Sequence, residues 1–293
     1  MYIATLIVNP ATPVLDQTVI EALRNAWGGG DAHWLNPGVA AEFAIPAIPD
    51  TQWQVWEDLQ AQGIDLAVQP AENRRKRMLL ADMDSTMIAQ ECIDELADEA
   101  GVGAHVAAIT ARAMNGELEF EEALRERVAC LKGLPEGTIA RVLERRITFT
   151  PGGRDLVATM RAHGAYAALV SGGFTAFTDH VARSLGFDEH RANSLGVADG
   201  HLTGTVADPI LGREAKVSAL DEITAQLGIA PADVLAVGDG ANDLGMLGRA
   251  GSGVALHAKP VVAAQCALRI NHGDLSALLY LQGYHRDEFA PVS

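Results

Sequence analysis

Cysteine is scarce in this sequence: Cys92, Cys130 and Cys266 are the only three in 293 residues, and no two form a C-x-x-C pair. That argues against a disulfide framework or a cysteine zinc site and fits a reducing compartment. Cations are also in short supply, 22 Lys and Arg against 38 Asp and Glu, for a formal net charge of −16 with histidine neutral. So acidic a surface repels a phosphate backbone, so nucleic acid is not an expected partner. It also repels small anions, so any phosphate site needs local cations. No apolar run is long enough to cross a bilayer. The N-terminus, "MYIATLIVNP", lacks the basic region and cleavage site of a secretory signal. No membrane partner is expected, and the expected location is the cytoplasm. The nine histidines show no metal-ligand spacing, and the chain contains no internal repeat or low-complexity tract.

What is present is a globular composition, 48% apolar and 20% charged, in a chain long enough for one large domain or two domains. Residues 1–75 carry their own pattern. "YIATLIV", "AHWL", "AAEFAI" and "IDLAVQ" read as strands, the middle two around an Asn36-Pro37-Gly38 turn. "VLDQTVIEALRNAW" and "TQWQVWEDLQAQG" have apolar residues at helical spacing. The order βαββαβ predicts a small ferredoxin-like α/β domain. All four tryptophans fall here and are expected in its core or an interface. "PAENRRKR" reads as a polar linker.

From residue 76 to 293 the pattern changes. The strand "MLLADMD" is followed by about sixty residues of helical periodicity, too long for a plain crossover and therefore expected to form a helical cap over about 90–148. Strands then alternate with helices: "AYAALVSGG", "DVLAVGDG" and "SGVAL" are the strands, and "SLGVADGHLTGTV" is a hairpin around Asp199-Gly200. Such alternation implies a doubly wound parallel sheet covered on both faces.

Ligands of such sheets sit beyond the carboxyl ends of the strands, and chemistry collects at those ends here. The first strand ends in Asp82-Met83-Asp84-Ser85-Thr86, the second in Ser171-Gly172-Gly173, and the last in Gly238-Asp239-Gly240-Ala241-Asn242-Asp243; Lys216 opens a helix between them. A buried carboxylate is costly without a partner, so Asp82 and Asp84 are either acid-rich capping residues or the centre of a site. Read singly, Lys216 is also a solvated helix-start lysine, and Asn242 and Asp243 are also helix caps. Their succession on consecutive strand ends favours the site.

These motifs resemble the haloacid dehalogenase superfamily of aspartate-nucleophile phosphotransferases. "ADMDSTMIAQECIDELADEAG", "AMNGELEFEEALRERVACLKGLP", "LVSGGF", "NSLGVADGHLTGTV" and "AVGDGANDLGML" are similar to the phosphoserine phosphatase family within it, from about Lys76 to the C-terminus. The resemblance implies a Rossmann-like core with an inserted cap and Mg²⁺-dependent hydrolysis of O-phospho-L-serine. It makes Asp82 the nucleophile and Asp84 the general acid and base. It assigns Mg²⁺ to the Asp82 side chain, the Asp84 backbone carbonyl and Asp239. Ser171, Gly172, Lys216 and Asn242 would hold the phosphate or substrate, and Asp243 would brace Lys216 from behind. Glu91 would take the substrate ammonium. "FEEALRERV" offers Arg125 and Arg127 for the carboxylate, and the motif favours Arg127. Met114 and Phe120 align with apolar residues that close the cap.

Two other functions fit the sequence. One keeps the chemistry and changes the substrate to another small phosphomonoester, or transfers the phosphoryl group to a second alcohol. The other is an amino-acid effector-binding protein, because the N-terminal unit is similar in plan to an ACT regulatory domain. The sheet edges and tryptophans of that unit also point to a homodimer.

Overall fold

The structure, a computed structural model, describes residues 1–114 and 117–291, without the Met114 side chain; the expectation for Met114 lies outside the described residues. Residues 2–70 form the small unit: β1 (Tyr2–Ile7), α1 (Gln17–Ala26), β2 (Ala32–Asn36), β3 (Ala40–Ile45), α2 (Gln52–Gln60) and β4 (Asp65–Pro70). The sheet runs β2-β3-β1-β4 and every pair is antiparallel, which is the ferredoxin-like order. Side chains alternate across the strands, and both faces are used. Ala4, Leu6, Phe43, Ile45, Leu66 and Val68 pack under α1 and α2 with Ile20, Leu23 and Leu59. Ile7, Ala40 and Ala67 join the larger core on the opposite face. Asp16 caps α1 through a 2.6 Å bond from Thr18 N–H.

The larger unit follows as β5 (Met78–Ala81), the helices α3 (Cys92–Glu99), α4 (Gly103–Met114), α5 (Phe120–Ala129) and α6 (Gly137–Arg145), then α7 (Gly153–Ala162), β6 (Tyr166–Phe174), α8 (Thr175–Leu185) and β7 (Glu189–Asn193). The hairpin β8 (Leu195–Ala198) and β9 (His201–Val206) leads to α9 (Arg213–Leu227), β10 (Val234–Gly238), α10 (Leu244–Arg249) and β11 (Ser252–Leu256). The chain ends in α11 (Pro260–Ala263), β12 (Leu268–Ile270) and α12 (Ala277–Leu281). Six strands make a parallel sheet in the order β12-β11-β10-β5-β6-β7. Helices cover both faces, so β5 is apolar throughout: Leu79 and Ala81 enter one core layer, Met78 and Leu80 the other. Because β5 lies between β6 and β10, its carboxyl end is the crevice where the strand order switches.

The doubly wound parallel sheet, the helices inserted after β5 and the preceding ferredoxin-like sheet match the sequence expectation. Several details were not anticipated. The β7 segment, "EHRAN", has no apolar alternation, and α11, β12 and α12 are only three to five residues long. The hairpin turn at Asp199 and Gly200 is where it was expected, at φ 51° and 72°, but its packing on the helices after β5, through Gly133 N–H to Leu202 O and Leu202 N–H to Leu134 O, both 2.8 Å, was not anticipated. The basic run read as a linker is firmly engaged. Arg74 makes a two-point ion pair with Glu42 and donates to Leu281 O, and Arg75 stacks 4.1 Å over Tyr284. Arg269 of the larger unit lies 3.9 Å over Trp53 of the smaller one. The Asp65 carboxylate accepts N–H bonds from Asn271, His272 and Gly273. Among the described residues, no helix is long and apolar enough to cross a membrane.

Candidate active site

The chain turns sharply after β5. Asp82 and Asp84 have extended backbones, Ser85 takes a left-handed φ of 54°, and Ile88 N–H closes the loop on Met83 O at 3.1 Å. A positive φ on a non-glycine residue is costly unless its surroundings enforce it; here it turns both aspartates toward one cavity of about 610 Å³. The core side of that cavity is built from Asp82, Asp84, Ser171 to Phe174 and Asp239 to Asn242. Its cap side includes Glu91, Thr110, Phe120 and Arg127.

Beneath the floor lies a buried charge cluster. Lys216 Nζ donates to Asp82 Oδ1 and to Asp243 Oδ1, both at 2.5 Å, with its side chain 2% exposed. Burial disfavours the ammonium, but the two carboxylates outweigh it and hold the Lys216 pKa above the ordinary lysine value. Burial is also the largest influence on Asp82 and opposes its charge; Lys216 favours that charge and Asp243 opposes it. The second Asp243 oxygen accepts the Gly240 N–H at 3.0 Å. Asp243 therefore ties the GDG turn to Lys216 and makes no side-chain capping bond to α10.

Asp84 has different company. Its carboxylate accepts from Cys92 N–H at 2.9 Å and from the Ser171 hydroxyl at 3.2 Å. Burial and the nearby Glu91 carboxylate outweigh those bonds and push its pKa up to about 6. Asp239 is likewise raised to about 6, by burial and by Asp243, while a 3.0 Å bond from Thr86 Oγ1 opposes the shift. Oxygens of Asp82, Asp239 and Asp243 lie within 4.8 Å of one another. That donor set is all hard oxygen, and Lys216 bonds two of the three carboxylates, so a small divalent cation fits it.

On the cap, Glu91 accepts from Ser85 Oγ at 2.7 Å. Arg127 donates Nε to Ala123 O at 3.2 Å, and burial lowers its pKa against the pull of Asp94, Glu91 and Asp84. Arg125 points elsewhere and pairs with Asp208 at 2.5 Å on the surface. The Phe120 ring lies against Gly172 and Gly212, where a Cβ would come within 3.3 Å and 3.2 Å of it. Glycine at 172 thus leaves room for the cap aromatic as well as for a ligand.

Residues 79–248 match the haloacid dehalogenase-like hydrolases. The chain belongs to that family. A phosphoserine phosphatase from Archaeoglobus fulgidus is 46% identical over 202 residues, which are 68% of this chain and 58% of that protein. The chain therefore spans less than two thirds of that relative. A phosphoserine phosphatase from a Polaromonas species is 47% identical over 210 residues, 70% of this chain and 89% of its own. The solved structure of a haloacid dehalogenase family hydrolase from Salmonella enterica serovar Typhi superposes with a TM-score of 0.86 at 30% identity, covering 99% of this chain and 100% of that one.

In this haloacid dehalogenase-like hydrolase, Asp82, Asp84, Glu91, Arg127, Ser171, Gly172, Asp239 and Asn242 line one cavity. Lys216 and Asp243 lie behind it, joined to Asp82. Sequence reasoning passed over three supports. The Cys92 N–H at the start of α3 holds Asp84; an acid in the turn after the strand carries no cue to a backbone donor eight residues later. Thr86 braces Asp239 although it stands in the quoted DxDST run. Asn193 joins Gly172 O, at 2.8 Å, to Leu211 N–H, at 2.7 Å, from a strand that gave no periodic signal.

Proposed function

We propose that the protein is a phosphoserine phosphatase. It hydrolyses O-phospho-L-serine to L-serine and phosphate, the last step of serine biosynthesis, through an aspartyl-phosphate on Asp82. The observation that carries this reading is the contrast between two aspartates in one turn: Asp82 is joined to a buried ammonium, and Asp84, among the described residues, accepts from a backbone N–H and a hydroxyl. Burial raises both carboxyls above the ordinary aspartate value, so the division of labour follows their partners: the aspartate fixed by an ammonium serves as nucleophile, and the one held by neutral donors as proton donor. Mg²⁺, held by Asp82, Asp239 and the Asp84 backbone carbonyl, would supply the positive charge that lets a carboxylate meet a phosphate dianion.

Lys216 fixes Asp82 Oδ1, leaving Oδ2 as the attacking oxygen. Asp82 bonds to phosphorus as the seryl oxygen departs, and Asp84 protonates that oxygen. Asp84 then takes a proton from the water that opens the aspartyl-phosphate, which restores both groups. Ser171 Oγ and the adjoining backbone N–H groups hold phosphoryl oxygens. Glu91 takes the substrate ammonium, and Arg127 its carboxylate in a two-point contact. The same reading keeps the protein in the cytoplasm, supported by three free thiols. It also keeps a homodimer, with β2, the outer strand of the small sheet, as the pairing edge; a monomer by light scattering would contradict that part.

Phosphate release across a panel of phosphomonoesters, with Mg²⁺ and with EDTA, tests the activity. The expected result is a strong preference for O-phospho-L-serine that EDTA abolishes. Flat turnover across the panel would remove the assigned substrate, and no turnover at all would remove the enzyme.

A further inference from the structure

A second cavity, of about 460 Å³, lies at the seam between the two units and shares no lining residue with the first. The end of β4 and the segment after it form one wall; α10, β11 and the approach to β12 form the other. Its size and its place between units are those of a small-molecule site. Val68, Leu244, Leu247 and Leu268 give it an apolar floor.

Lys76 is the unusual member of the lining. It is 8% exposed, yet its ammonium makes a single hydrogen bond among the described residues, 2.8 Å to Ala232 O. Burial holds its pKa below the ordinary lysine value, and Asp233 only partly opposes this. The Asp233 oxygens are taken by Asn73 and the Ala230 N–H. A largely buried lysine whose ammonium has two donors unbonded among the described residues calls for an anion. Arg213 lines the same cavity and has no ion pair or hydrogen bond among the described residues. In a chain with 38 acids to 22 bases, two unpaired cations facing one cavity are unusual. The single acidic lining residue, Glu72, is exposed.

We propose that this seam is a second ligand site, for a small carboxylate with a short apolar tail. The head group pairs with Lys76 and Arg213, and the tail covers the leucine floor. An occupant would touch α9 one turn ahead of Lys216, and α10 directly after Asp243.

Calorimetry of the full chain with 3-methylbutanoate tests the site, with 3-methylbutylamine as the matched cation. Saturable binding of the acid alone is expected. It should weaken by at least about tenfold in Arg213→Gln, the loss of one charged hydrogen bond, and in Lys76→Met, and persist in Arg127→Ala. Arg213 is exposed, so its variant is informative even if Lys76→Met does not fold. The site is refuted by no saturable heat at tens of millimolar, by equal binding of the amine, or by binding that Arg127→Ala removes and Arg213→Gln leaves intact.

Discussion

The floor of the active-site cavity and its cap wall are built in opposite ways. On the floor, Asp82, Lys216 and Asp243 are nearly solvent-free, and each is held by at least one bond to another member of the cluster. On the cap wall, among the described residues, Arg127 makes one hydrogen bond to its own helix and Glu91 one to Ser85. A floor cross-linked by buried ion pairs holds its shape when a ligand arrives; a wall whose charged groups have spare valences can be completed by one. Under the proposed function, the floor carries the reaction and the wall the choice of substrate.

Removing the proposed nucleophile should break the floor most severely. Asp82→Asn is expected to lower kcat by on the order of 10⁵-fold, as for loss of a covalent nucleophile, while calorimetry still detects substrate. Lys216→Met should come next, because it leaves Asp82 and Asp243 buried without a counter-charge. Chemical denaturation of the metal-free protein should show a loss of about 3–5 kcal/mol, the usual cost of breaking a buried ion pair; an unchanged midpoint would mean the cluster is not what it is taken to be.

The wall should respond more gently. Arg127→Ala is expected to raise KM for O-phospho-L-serine by about 10–100-fold, the worth of a charged hydrogen bond or two, with kcat much less affected. Arg125→Ala should do least. Its pair with Asp208 is surface-exposed, so stability should shift by no more than about 1 kcal/mol and KM should stay put. A KM effect from Arg125 equal to that from Arg127 would erase the distinction between them.

Those two arginines show where sequence reading stops. They stand two residues apart on α5, roughly 200° around the helix, so only one can face the cavity. Nothing in "FEEALRERV" says which, because the answer depends on how the cap meets the core; the structure turns Arg127 inward and Arg125 to Asp208. The strand-end motifs were legible because polar residues following an apolar strand are locally conspicuous. The Lys216 triad was only partly so, since its three members come from separate strand and helix ends. The basic run after β4 looked like a linker because charge alone does not reveal that Tyr284 and Glu42 wait for it. The short elements β7, β12 and α12 lacked enough residues to show a period, and their places come from the sheet they extend.

The most direct test compares O-phospho-L-serine with phosphoethanolamine, which keeps the ammonium and lacks the carboxylate, in the unaltered protein and in Arg127→Ala. If the floor performs the reaction and the wall selects, the preference in kcat/KM for O-phospho-L-serine collapses in the variant, while turnover of phosphoethanolamine is retained. If both substrates fall together, Arg127 serves the reaction itself and the division between floor and wall is wrong.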